Sequence, residues 1–241
     1  MKKTNNVFQI PSFTTAYGLL MMASESERLK KENEAMALMM AKTILKALDC
    51  KDHYTYGHSM RVAYFSLVTG REMGLSNDEL HELELSALFH DIGKIGTPDE
   101  VLNKPSRLTE EEFQVMKQHP ELSHEILKEY PLFEKVSLNA KHHHERFDGR
   151  GYPSGMKGEE IPLFSRIILI ADTFDAMTST RVYRKGLDYS IAYAELEQFS
   201  GSQFDAKCVQ AFIQGIQKET AKNESEFHIP FLNQKFNKDA A

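Results

Sequence analysis

Two cysteines in 241 residues, Cys50 and Cys208, cannot make a disulfide framework. They read as small buried hydrophobes of a protein kept in a reducing compartment. Long apolar runs are missing too. None approaches the ~20 residues that span a bilayer. The stretch 16–23 is short and has no cleavage-site context, so neither a membrane span nor a signal peptide is expected, and the expected location is the cytoplasm. There is no basic excess either. The net charge is −6, which argues against non-specific nucleic-acid binding, so no DNA partner is expected. A local basic pocket for a small anionic ligand is compatible with that charge. Strand-type alternation is nowhere convincing, and there are no repeats or low-complexity segments.

What is present is helix after helix. A chain of 27.6 kDa fits one domain of about 190 residues plus an appendage. We divide it into an N-terminal extension at 1–49 with a helix over 24–49, a helical domain at 50–218, and a polar tail at 219–241. In the extension, Met36, Met39, Met40, Ile44 and Leu48 follow a 3.6-residue stripe. That stripe either packs on its own domain or forms a homodimer contact, for which methionine's adaptable surface is suited. A helix is read over 56–73. Ser76 with Glu79 and Thr109 with Glu112 are capping boxes. The first opens a face of Leu80, Leu83, Ala87 and Leu88; the second opens a helix carrying Phe113, Met116 and His119. Residues 162–180 carry Phe164, Ile167, Ile168, Ala171, Phe174 and Met177 at helical spacing. Ser190 and Asp205 are the expected N-caps of two final helices. The stretch 147–161 holds four glycines and Pro153 and reads as a loop. The fold class is all-α, a helical bundle with an N-terminal helical lead-in.

His90 and Asp91 end an apolar helical pattern and run into Gly93 and Lys94. Downstream lie His119, the run His142-His143-His144-Glu145, and Asp172. Asp172 follows Ile167-Ile168-Leu169-Ile170-Ala171, and a buried carboxylate there needs either an internal arginine or a metal. With histidines on several other segments, the metal is the better partner. Helix neighbours point about 100° apart, yet His90 and Asp91 can serve one site if the helix ends there, and Gly93 supports such an end. A carboxylate has two oxygens, so Asp91 is the natural bridge between two ions. His143 and His144 can both reach one ion near a helix end. Imidazoles and carboxylates without thiolate suit iron, manganese, nickel or zinc and disfavour a structural zinc site. Two bridged ions suit an in-line phosphoryl displacement. Lys94 is either a solvated lysine or the neutraliser of a non-bridging phosphate oxygen. Arg181 and Arg184 lie one turn apart, and their forks suit phosphate or a guanine edge. Arg146 and Arg150 flank the glycine-rich loop as ligand contacts or as solvated residues.

The segments GHSMRV at 57–62, HDIGKIGTPDEVLNKPSRLTEEE at 90–112, MKQHPELSHEIL at 116–127, HHERFDGRGYP at 143–153 and IADTFDAMTSTRVYR at 170–184 resemble the HD-GYP family. That family is a branch of the HD metal-dependent phosphohydrolases and hydrolyses cyclic di-GMP. The resemblance runs from about Tyr54 to about Ile216, some two thirds of the chain. It implies an HD-superfamily helical bundle and a phosphodiesterase that converts cyclic di-GMP to pGpG and on to GMP. It implies His58, His90, Asp91 and Asp172 around one divalent ion and Asp91, His119, His143 and His144 around a second, with iron or manganese ahead of nickel or zinc. Asp91 and Lys94 are the implied catalytic residues. Lys94, Arg181, Arg184 and Tyr152 are the implied substrate contacts. The Gly151-Tyr152-Pro153 segment is either a lip over substrate, a contact for a GGDEF-type cyclase, or a loop that braces the ligand helix. Tyr54 stands where some members carry a third-ion glutamate, so two ions are expected. Val182 replaces a usual proline and Arg184 a frequent lysine. His142 reads as outside the ligand set, and His124, where glycine is common, either crowds its helix or lines a pocket. Related readings are an HD hydrolase of another cyclic nucleotide and a non-catalytic cyclic di-GMP sensor.

Overall fold

In the computed structural model the described residues are 21–29, scattered positions between 32 and 46, 53–180 and 185–221. They fall into two compact units, 1–44 and 45–241. In the first, residues 21–29 are helical, and Met21, Met22, Met36 and Met39 are exposed. Met40, Leu48, Cys50, Arg181, Arg184 and the tail beyond 221 lie outside the described residues, as does the Tyr54 side chain.

The second unit is helical, and no sheet occurs among its described residues. Its elements are α1 (His53–Glu72), α2 (Asn77–Phe89), a 3-10 turn (Ile92–Gly96), α3 (Asp99–Leu102), α4 (Glu110–Met116), α5 (His119–Leu127), α6 (Glu134–Lys141), α7 (Leu163–Thr178), α8 (Tyr189–Gln198) and α9 (Ala206–Ala221). Both capping boxes form: Ser76 opens α2 and Thr109 opens α4. Helix α1 is central and packs on α2, α7 and α9. Phe174 of α7 meets Phe65 of α1 and Phe212 of α9 edge to face, and Phe65 lies tilted against Phe212, with centroids 4.9–6.0 Å apart. Each such buried ring contributes roughly 1.5–3 kcal/mol by leaving water. A second layer joins α5 to α6 and to the 3-10 turn.

Four expectations change. The helix opened by Thr109 stops at Met116, and His119 begins α5, with Pro120 in the first turn where its missing N–H costs nothing. Asp188, not Ser190, precedes α8, while Asp205 caps α9 by accepting from the Lys207 amide at 2.9 Å. Gly93 does not end α2, which closes at Phe89 with His90 still in helical conformation. Gly93 lacks a side chain because α5 presses against it: a Cβ there would lie 2.0 Å from the His119 carbonyl and 2.5 Å from the Ser123 amide. Finally, the 147–161 loop contains a 3-10 turn at Gly158–Glu160.

A candidate metal centre

Three helices deliver their C-terminal ends, and a histidine, to one place. His90 follows α2, His119 follows α4 and His143 follows α6. Each ring hydrogen-bonds through Nδ1 to a last-turn carbonyl three residues back: His90 to Ala87 at 2.7 Å, His119 to Met116 at 2.7 Å, His143 to Ala140 at 2.6 Å. A carbonyl only accepts, so Nδ1 must donate, which leaves the Nε2 lone pair free to bind an ion. His58 on α1 is anchored differently, through Nδ1 to Asp175 Oδ2 at 2.7 Å.

These Nε2 atoms surround Asp91. Its Oδ1 lies 3.1 Å from His119 Nε2 and 3.8 Å from His143 Nε2. Its Oδ2 lies 3.2 Å from His90 Nε2 and 3.8 Å from His58 Nε2. Asp172 Oδ1 comes within 3.1 Å of His58 Nε2 from the other side. Two groups result, each compact enough for one ion: Asp91, His119, His143 and His144, and His58, His90 and Asp172. His90 Nε2 and Asp91 Oδ1 are buried without a hydrogen-bond partner, an arrangement native interiors avoid unless an ion satisfies it. The donor set therefore fits divalent metal.

Burial and charge act in opposite directions here. Burial lowers the His58 pKa, but bonds to Asp172 and Asp175 outweigh it and push it up to about 9. Burial and the neighbouring imidazoles hold His143 well below its usual range. Burial and His119 bring His144 down to about 3. Burial opposes ionisation of Asp91, but His90, Lys94 and His119 together hold its carboxyl well below the usual range. The Lys94 ammonium donates to Asp91 Oδ2 at 2.5 Å.

The seven ligand candidates thus come together, and Lys94 joins them. Asp172 is less buried than its apolar run suggests, its side chain being 19% exposed. The buried carboxylate of α7 is Asp175, one turn later and 1% exposed, and it is the one that holds an arginine: Arg61 Nε at 2.5 Å and Nη2 at 3.1 Å. Sequence reading missed both; the signal was the i, i+3 spacing of His58 to Arg61 and of Asp172 to Asp175. It also missed the role of Glu145, whose carboxylate accepts the amides of Ser154, Gly155 and Met156 at 2.6–3.1 Å. Tyr152 donates its amide to His144 O at 3.2 Å and stacks on the His144 ring at 4.8 Å. A Cβ on Gly151 would lie 2.2 Å from the Arg146 amide. The glycine-rich loop is therefore packed against the ligand segment. Arg146 pairs with Asp148 and Gln203, and Arg150 is exposed. His142 is buried, 3.7 Å from Glu145. His124 bonds Ser137 at 3.0 Å and lines a cavity of about 450 Å³ with Lys128 and Glu134.

A family model described as HD domain matches residues 21–208. The chain is 38% identical over 197 residues to the cyclic di-GMP phosphodiesterase response regulator RpfG of Xanthomonas campestris pv. campestris, covering 81% of this chain and 51% of that one. It is 37% identical over 203 residues to a cyclic di-GMP phosphodiesterase of Thermotoga maritima, covering 83% and 55%. Among solved structures, a cyclic GMP-AMP specific phosphodiesterase of Vibrio cholerae superposes with a TM-score of 0.56 at 25% identity, over 76% of this chain and 49% of that one. The chain spans about half the length of the curated relatives it matches. No described helix is long and apolar enough to cross a membrane. With its helices, its motifs and most of its length accounted for, the chain belongs to the HD domain family.

Proposed function

We propose that the chain is a phosphodiesterase that opens cyclic di-GMP to linear pGpG and carries pGpG on to GMP. The observation that supports it most is the Asp91 carboxylate, whose two oxygens face different imidazoles. The names of the Xanthomonas and Thermotoga relatives support the substrate. We assign His58, His90, Asp91 and Asp172 to one ion and Asp91, His119, His143 and His144 to a second, with iron or manganese ahead of nickel or zinc. When bound, the ions supply Lewis acidity to phosphoryl oxygens and lower the pKa of water.

A water oxygen bonds to phosphorus, the phosphorus–O3′ bond breaks, one of the water's protons passes to the leaving oxygen and the other is released to solvent. His58, His90, His119 and His143 are sealed, whereas Asp172 and Lys94 are 19% and 23% exposed and His144 and Tyr152 are half-buried. Substrate therefore enters on the side of Asp172, Lys94, His144 and Tyr152. There the Lys94 ammonium offsets charge on a non-bridging oxygen, and Tyr152 offers its ring. Arg181 and Arg184 complete the substrate contacts on the strength of the sequence pattern. The reading extends to a GGDEF-type partner at the 149–155 loop and a homodimer through the 24–49 segment.

A second reading, hydrolysis of cyclic GMP-AMP, is favoured by the Vibrio structure. Anaerobic purification with metal analysis, followed by a time course on each dinucleotide with product separation, tests both. Linear pGpG as the first product supports the proposal. Faster cleavage of cyclic GMP-AMP selects the second reading. Binding without turnover by protein holding two ions overturns the enzyme and leaves a sensor.

A further inference from the structure

Four imidazoles of the centre have an anchored Nδ1, and they are not anchored alike. His90, His119 and His143 donate to main-chain carbonyls of their own segments. His58 donates to a carboxylate brought from 117 residues away, Asp175 Oδ2 at 2.7 Å. That carboxylate is 1% exposed and held on all sides. Arg61, one turn after His58 on α1, grips both its oxygens, and Ser179 Oγ donates to Oδ1 at 3.0 Å. Asp172, one turn before Asp175 on α7, meets the opposite nitrogen of the same ring at 3.1 Å. Helix α7 thus closes on the His58 ring with two carboxylates, one at each nitrogen.

We propose that Asp175, locked by Arg61, is a positioning residue for the His58–His90–Asp172 half of the centre and not for the His119–His143–His144 half. This rests on the binuclear reading above. A carboxylate behind an imidazole fixes its tautomer and strengthens its donor nitrogen, and losing such a partner weakens metal binding by roughly 10–100-fold. The other half has no such dependence, because its anchored rings are held by backbone that substitution leaves in place. The two ions should therefore differ in their sensitivity to Asp175.

The test is Mn(II) titration of anaerobically prepared wild type, Asp175→Asn and Arg61→Gln, followed by equilibrium dialysis and electron paramagnetic resonance. Wild type should take up two ions with a spin-coupled signal. Asp175→Asn should keep one tight ion with an isolated Mn(II) signal, the second weakened by roughly 10–100-fold. Arg61→Gln, at a partly exposed position, should move the same way by less, and it supplies the answer if Asp175→Asn does not fold. Two ions retained at wild-type affinity in the folded variants, or both lost together, overturns the assignment. Wild type that takes up only one ion overturns the binuclear reading instead.

Discussion

Removing the Asp91 carboxylate leaves six ligand side chains with no member in common. Its Oδ1 serves His119 and His143, its Oδ2 serves His90 and His58. Asp91→Ala is expected to lose both ions and hydrolysis together, beyond the roughly 10–100-fold that outer partners contribute. Elemental analysis beside a turnover assay checks this; a variant that keeps two ions would show the bridge lies elsewhere. Gly93→Ala tests a different limit. The added methyl must displace the His119 carbonyl or the Ser123 amide, both backbone. Overpacking of that kind costs about 1–3 kcal/mol and at times more. Chemical denaturation of the metal-free protein should register the loss, and unchanged stability would mean that α5 yields freely. The candidate ligands His90, Asp91, His119, His143, His144 and Asp172 were legible in the sequence because metal chemistry restricts residue type so tightly, whereas His58 entered only through the family resemblance. Asp172 reads from the sequence as the α7 carboxylate facing the centre, and it does face it. What was not legible is that Asp175, on the same helix face, reaches behind the His58 ring, since only the packing of α1 against α7 brings the two together.

At the level of elements, α1 and α7 meet at the His58 ring, which sits between Asp172 and Asp175. In the metal-free protein that ring is a proton-dependent clasp. Its pKa rises from 6.5 when unfolded to about 9 when folded. The protonated form is thus favoured by folding, so the stabilisation is complete below pH 6.5 and lost as the pH rises through 9. Melting temperature measured with chelator present should fall across that window, and more steeply in wild type than in His58→Gln. A parallel pair of profiles would remove the clasp from consideration. The helices themselves were readable from capping boxes and apolar spacing. The break between α4 and α5 was hidden by a periodic pattern that continued through it, with Pro120 as the local sign. The packing of the 149–155 loop was hidden as well, because the Glu145 contacts that fasten it span nine to eleven residues without any repeating pattern.

For the whole molecule, every ligand candidate lies at or beyond His58, within the second compact unit. Removal of residues 1–49 should therefore leave metal content intact while changing oligomeric state or basal turnover, as light scattering and assay would record. Soluble protein of unchanged mass and unchanged rate would rule out a regulatory lead-in. The orientation of α2, α4 and α6 carries one more consequence. Each ends at the centre, and each helix terminus presents the equivalent of about half a negative charge. Their combined field invites positive ions and pushes away phosphate, with Lys94 as a local counterweight. A centre built this way is expected to take an anionic ligand only after metal has been loaded. Stripped of metal, the protein should show little calorimetric heat with pGpG, and restoring metal should restore binding. Equal affinity in both states would mean that the basic side chains alone capture the nucleotide.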